Sequence, residues 1–107
     1  MLKKSQRLLT KQFNQVMSKG KVLHSTLFMA RVLKGQVGTK IAAVAPVKPF
    51  KRAVDRNKVR RKIYNALRPV EAGTHIIIFA KIGVLQATLE EIAADLKSLF
   101  VKAGILG

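Results

Sequence analysis

Lys48-Pro-Phe-Lys-Arg-Ala-Val-Asp-Arg-Asn-Lys-Val-Arg-Arg-Lys-Ile-Tyr64 contains eight Lys or Arg residues, opposed only by Asp55. Val59, Ile63, Ala66 and Leu67 recur at i, i+4, i+7 and i+8, the spacing of a helical stripe that packs on a core. Asn57, Arg61, Tyr64 and Arg68 fall on the opposite side, and Arg60 and Lys62 flank the stripe. Solvated helices usually mix charge signs, because like charges at i, i+4 repel by a few tenths of a kcal/mol. A one-signed run points instead to an external polyanion. The candidate binding residues are Lys48, Lys51, Arg52, Arg56, Asn57, Lys58, Arg60, Arg61, Tyr64 and Arg68.

The same bias extends through the chain. Its formal net charge is +16, and residues 1–54 hold twelve Lys or Arg with no Asp or Glu. A membrane binder would need a broad apolar face opposite the charges, and this stripe is narrow, so nucleic acid is the expected partner. The longest strongly apolar run, Ile76 to Ala80, is too short to span a bilayer. No apolar segment of signal-peptide length follows the basic start. With no cysteine among 107 residues, a reducing compartment is expected and Cys-based zinc sites are excluded. These features predict a single cytoplasmic domain over 1–107, large enough to stand without a staple.

Upstream of the basic stretch, Phe13, Val16 and Met17 mark a short amphipathic helix, with Thr10 as N-cap and Gly20 as stop. Lys21 to Leu33 reads as extended, and within it Thr26 to Leu33 is apolar on both alternating sets except at Arg31. Lys34-Gly-Gln-Val-Gly38 reads as a hairpin loop before a strand over Thr39 to Val47. It also spells G-x-x-G, but that phosphate clamp belongs between helices and these flanks are strands.

Downstream, the basic helix closes before Pro69. His75-Ile-Ile-Ile-Phe-Ala80 is a buried strand, and Gly83 is expected to break the chain. Thr88-Leu-Glu-Glu91 is a capping box opening a helix on Leu89, Ile92, Ala93, Leu96, Leu99 and Phe100. Gly104 ends it. The order predicts an α+β sandwich, helices on a mixed sheet.

Catalytic chemistry is not expected of the side chains. Asp55 stands alone among cations; Glu90, Glu91 and Asp95 read as capping and surface residues. His24 and His75 lie in or beside strands that nothing in the sequence brings together. No catalytic residue and no metal ligand is assigned to the protein.

Arg56-Asn57-x-x-Arg60-Arg61, preceded by Ala53-Val54, resembles the Arg-Asn-x-x-Lys-Arg signature of bacterial ribonuclease P protein subunits. Phe13-x-x-Val16, Gly20 and Phe28 fit that family's first helix and first long strand. Ile76 to Ala80 and Ile92 to Phe100 fit its later elements. The resemblance implies an αβββαβα two-layer sandwich related to an RNA-binding domain of a ribosomal protein. It also implies a ribonucleoprotein that removes 5′ leaders from precursor tRNA, with hydrolysis done by a catalytic RNA and its Mg²⁺. In that scheme Arg56, Asn57, Arg60 and Arg61 touch the catalytic RNA. Phe13, Met17, Phe28 and Arg31 belong to a cleft for the leader. The partners are then the catalytic RNA and precursor tRNA, with no protein partner expected.

Some positions depart from the family pattern. Val47-Lys48-Pro49-Phe50-Lys51 stands where Ser-Lys-Lys-x-Gly is common. Met17 and Arg31 occupy positions that are usually aromatic, which implies less base stacking and more phosphate contact. Arg60 replaces the usual Lys, keeping charge but not geometry. The alternative from another class is a ribosomal or ribosome-assembly RNA-binding protein, which shares the basic surface and the sandwich. The RNA that co-purifies distinguishes the two.

Overall fold

The computed structural model describes residues 7–67 and 69–105. Arg68 and the residues before Arg7, Ser5 among them, therefore lie outside the described residues. In chain order the elements are α1 (Thr10–Lys19), β1 (Lys21–His24), β2 (Phe28–Leu33), β3 (Lys40–Val44), α2 (Ala53–Ala66), β4 (His75–Ala80) and α3 (Leu89–Ala103). A 3₁₀ turn, Ile82–Leu85, joins the last two. This is the expected αβββαβα order.

The strands form one mixed sheet in the order β1-β2-β4-β3. β2 runs antiparallel to β1 and β4, whereas β3 runs parallel to β4. Alternation along the strands separates two faces. Phe28, Ala30, Val32, Ile41, Ala43, Ile76 and Ile78 meet Val59 and Ile63 of α2 and Ile92, Leu96, Leu99 and Phe100 of α3 in the main core. Each fully buried Ile, Leu or Phe there contributes about 1.5–3 kcal/mol. The other face carries Met29, Arg31, Ile77 and Phe79, and α1 lies across β2 and β4 on that side. Val16 and Ile77 are both fully buried. β4 is therefore covered on both faces, which its unbroken Ile76-Ile-Ile78 run predicts.

The turns depart from the expectations. Lys21 to Leu33 is not one strand; it folds back at Ser25-Thr26-Leu27 into an antiparallel β1–β2 pair. Neither glycine nor proline marks that turn. It is held from a distance: Asp95 Oδ2 on α3 accepts from the Ser25 hydroxyl at 2.6 Å and from Leu27 N–H at 3.0 Å. Conversely, residues 34–39 form no hairpin, because β3 pairs with β4 and not with β2. The loop crosses the end of β4, where Gln36 N–H donates to Gly73 O at 2.9 Å.

The helix ends follow capping chemistry. α1 starts one residue earlier than Thr10 predicts, with Leu9 at the cap position and Gln12 Oε1 accepting the Leu9 N–H at 2.9 Å. Gly20 does stop α1, but in extended geometry (φ −69°). Glycine is needed there because a Cβ would collide with the Val16 carbonyl oxygen. Gly104 ends α3 in the left-handed region at φ 70°. Gly83 lies within the 3₁₀ turn and does not break the chain. α2 begins only at Ala53, so Lys48 and Lys51 belong to the turn ahead of it. The helix closes at Ala66, short of Pro69 as expected.

The Thr88–Glu91 capping box is present: Glu91 N–H donates to Thr88 Oγ1 at 3.2 Å and Thr88 N–H to Glu91 Oε1 at 2.9 Å. The Thr88 backbone N–H, and after it the Thr88 hydroxyl, hold the Glu91 carboxyl below its ordinary value of 4.5. A carboxylate with a lower pKa folded than unfolded adds stability above the unfolded value. That stability is lost as pH falls through the folded value. Glu91→Ala is therefore expected to lower the urea midpoint at neutral pH, with the deficit shrinking as pH drops below 4.5. Urea melts of parent and variant across that range check it; a deficit independent of pH would assign the loss to packing.

Candidate nucleic-acid interface

α2 separates its cations into those that are held and those that are free. Lys62 is held. Its ammonium donates to the carbonyls of Leu85 at 2.8 Å, Ala87 at 3.2 Å and Val84 at 3.4 Å, pinning the helix to the segment leading into α3. Arg56 is half-buried and folds back: Nη1 donates to Phe50 O at 2.9 Å and Lys51 O at 3.0 Å. With Phe50 buried in the core, this clamp shapes the turn that carries Lys48 and Lys51. Arg52 makes a two-point pair with Asp55, at 3.1 and 3.2 Å. Its side chain is 74% exposed, so the pair adds at most a fraction of a kcal/mol.

The free set is Lys48, Lys51, Lys58 and Arg61. All four are exposed, and none makes a side-chain hydrogen bond or ion pair among the described residues. Between them Arg60 donates to the Asn57 side-chain oxygen, fixing two of the signature residues against each other. Tyr64 is half-buried against the core, and its hydroxyl oxygen accepts the Ala43 N–H at 3.3 Å. Asn57, Arg60, Arg61 and Tyr64 line a groove of about 440 Å³. Of these, Tyr64 reaches β3, the outer strand of the sheet, through Ala43.

The second expected surface is only partly assembled as the sequence predicts. Phe13 and Met17 are half-buried on α1. Arg31 shares their side of the sheet, its Nη1 donating to Met17 O at 2.7 Å, while its Nε is buried without a partner. Phe28 does not join them. It points to the other face and is fully buried in the main core, because alternation along β2 puts it opposite Met29 and Arg31. The resemblance placed it on the right strand, but the strand's parity sends it away from the cleft.

The histidines stay apart: His24 pairs with Met29 and His75 with Leu33, at opposite ends of β2. Among the described residues no three His, Asp or Glu side chains converge, so these side chains do not fit a protein-held metal. No helix among them is long and apolar enough to cross a membrane.

Lys62, Arg56 and Tyr64 have roles that sequence reasoning missed. Lys62 and Tyr64 sit at positions with the spacing of the polar face or its flank, whereas Arg56, seven residues before Ile63, lies along the apolar stripe. Their partners are carbonyls or an N–H far away or off the helix, which helical periodicity does not encode.

Comparison with known proteins identifies a family. The family model described as Ribonuclease P matches residues 2–104. The ribonuclease P protein component of Symbiobacterium thermophilum is 29% identical over 111 residues, covering 98% of this chain and 96% of that protein. In fold, a mutant RNase P protein of Staphylococcus aureus gives a TM-score of 0.83 at 19% identity, over 96% of this chain and 92% of that one. The RNase P protein from Thermotoga maritima gives 0.74 at 18% identity, over 90% and 96%. A family match over residues 2–104 leaves a single conclusion: the chain belongs to the ribonuclease P family.

Proposed function

We propose that this chain is the protein subunit of a ribonucleoprotein endoribonuclease that removes the 5′ leader of precursor tRNA. The α2 surface binds the catalytic RNA, and the α1 side of the sheet holds the leader. The observation that carries this reading is the free set Lys48, Lys51, Lys58 and Arg61 beside the Asn57–Tyr64 groove. These cations have no acidic counterpart among the described residues. Phosphate neutralisation releases condensed counterions, so such a surface binds RNA strongly at low salt.

The division of labour follows from charge. Catalytic RNA and precursor are both polyanions, and a chain of net charge +16 offsets their repulsion. Hydrolysis and its Mg²⁺ are assigned to the RNA and substrate. The protein's side chains bind and orient. Arg56 positions the turn, Arg61 offers a planar fork to phosphate oxygens, and Arg31 places a cation in the leader cleft beside Met17.

Two experiments test the two surfaces separately. Arg61→Ala is expected to weaken binding of the catalytic RNA by about 1–3 kcal/mol, the range of a charge-assisted contact. It should also flatten the log–log salt dependence by about 0.7–0.9. Filter binding across a salt series measures both, and an unchanged slope would return α2 to a merely solvated helix.

Phe13→Leu is expected to weaken holoenzyme binding of leader-bearing precursor by about 1 kcal/mol, part of an aromatic–base stack. Mature tRNA binding and protein stability should change little, the latter by less than about 1.5 kcal/mol. Equal loss for both RNAs would mean that the leader is held elsewhere.

A further inference from the structure

Among the described residues, three buried side-chain nitrogens lack a hydrogen-bond partner: Arg31 Nε, His75 Nδ1 and His75 Nε2. They belong to one place in the sheet. His75 pairs with Leu33 and Arg31 with Ile77, so the two side chains are diagonal neighbours on β4 and β2. Strand parity sets both on the face that α1 crosses. His75 is only 2% exposed, and nothing proposed above uses it. An imidazole offers either a donor and an acceptor or two donors. Buried without partners, these groups forgo the bonds that water would give them.

The helix on that face is the least anchored of the three. α1 is 10 residues long, shorter than the about 12–15 at which isolated helices become marginal in water. Val16 is its one buried residue, against three in α2 and four in α3. Arg31 Nη1 ties its last turn to β2 through Met17 O. Gly20, alone between α1 and β1, is the joint about which the helix can turn. We propose that α1 is a displaceable cover over the Arg31–His75 pair, and that lifting it opens a site for a nucleobase edge. Docked, α1 keeps Val16 and Ile77 dry but strands three nitrogens. Lifted, it loses that burial and hydrates them, so the two states lie closer in free energy than the apolar contact alone would set them. A base edge carries both donors and acceptors. Phosphate oxygens only accept, and leave the acceptor nitrogen of a donor–acceptor imidazole unmet. The ligand assignment rests on the reading that the α1 side holds the leader; the cover does not.

Amide hydrogen exchange on the full-length protein tests the cover. The hydrogen-bonded amides of Phe13 and Gly20 are expected to exchange about tenfold faster than those of β4, α2 and α3, with little dependence on urea. Exchange of α1 at the global rate would overturn the cover. His75→Phe keeps a ring and loses both nitrogens. It should slow α1 and the slowest α3 amides by the same factor, about tenfold, because the lifted and the unfolded states both return that position to water. If only the global rate slows, another element covers His75 and α1 is no cover. His75→Leu repeats the test without the bulk of a six-membered ring. Earlier melting of both variants would mean that the imidazole is satisfied where it lies, and the proposal would fall.

Pentauridylate, a single-stranded probe, separates this inference from the leader reading beneath it. It is expected to shift the His75 ring protons and the Arg31 Nε–H and to speed exchange in α1. A pentamer of the same charge without bases should do neither; equal effects from it would overturn the base-edge assignment. If exchange behaves as above but pentauridylate leaves Phe13 and His75 untouched, the cover stands and the leader reading fails with its ligand. If the probe shifts Phe13 and Met17 while His75 and α1 exchange stay unchanged, the leader is held without lifting α1. That result would overturn this inference and keep the leader reading.

Discussion

Everything in this fold depends on β4 being buried on both faces while it pairs with β2 on one side and β3 on the other. β3 is parallel to β4, so the chain must return along the whole sheet between them, and α2 is that return. A crossover helix has to put its apolar stripe on the sheet. Val59, Ile63 and Ala66 do so, and the cationic residues are left outside by geometry. The exposed basic surface of α2 is thus a consequence of strand order. With β3 and β4 adjacent in an antiparallel hairpin, no helix would be required at this place.

The shortage of acidic residues sets a second constraint. Five carboxylates cannot neutralise twenty-one cations, and the fold satisfies several lysines with backbone carbonyls. Lys62 caps the 3₁₀ turn, Lys34 reaches Gly104 O at 3.0 Å, Lys81 reaches Ser25 O at 2.7 Å and Lys102 reaches His24 O at 3.2 Å. Each ties two segments distant in sequence. Cations thereby serve as cross-links in the body of the domain, while Lys48, Lys51, Lys58 and Arg61, ahead of and along α2, make no such bond among the described residues. Asp95, one of the few acids, is used for the opposite task, accepting the donors of the β1–β2 turn.

The two surfaces lie on opposite sides of the sheet. On one side of the sheet Tyr64 reaches Ala43 and begins the α2 groove. On the other, α1 and Arg31 border the expected leader cleft. An exposed strand edge invites pairing with another chain, and the Tyr64–Ala43 bond blunts it at the middle residue but one. The same contact therefore protects the sheet and ties α2 to its edge.

Periodicity and composition by themselves determined the helices, the double burial of β4, the basic face of α2 and the family signature, because these depend on spacing within one element. The Thr88–Glu91 box belongs with them, its two partners being three residues apart. The β1–β2 turn was illegible, since Asp95 holds Ser25 from seventy positions away. So was the absence of a hairpin at residues 34–39, because β-pairing partners are chosen by the sheet and not by the loop. Within the site, sequence put Asn57, Arg61 and Tyr64 on one face of α2, with Arg60 flanking the apolar stripe and Arg56 in the signature. Only tertiary structure decided that Arg56 clamps a turn, that Tyr64 caps a strand edge and that Phe28 faces away from the cleft. The physical reason is common to all three. A side chain's periodicity tells which way it leaves its own element, whereas its role depends on the donor or acceptor that another element brings to meet it.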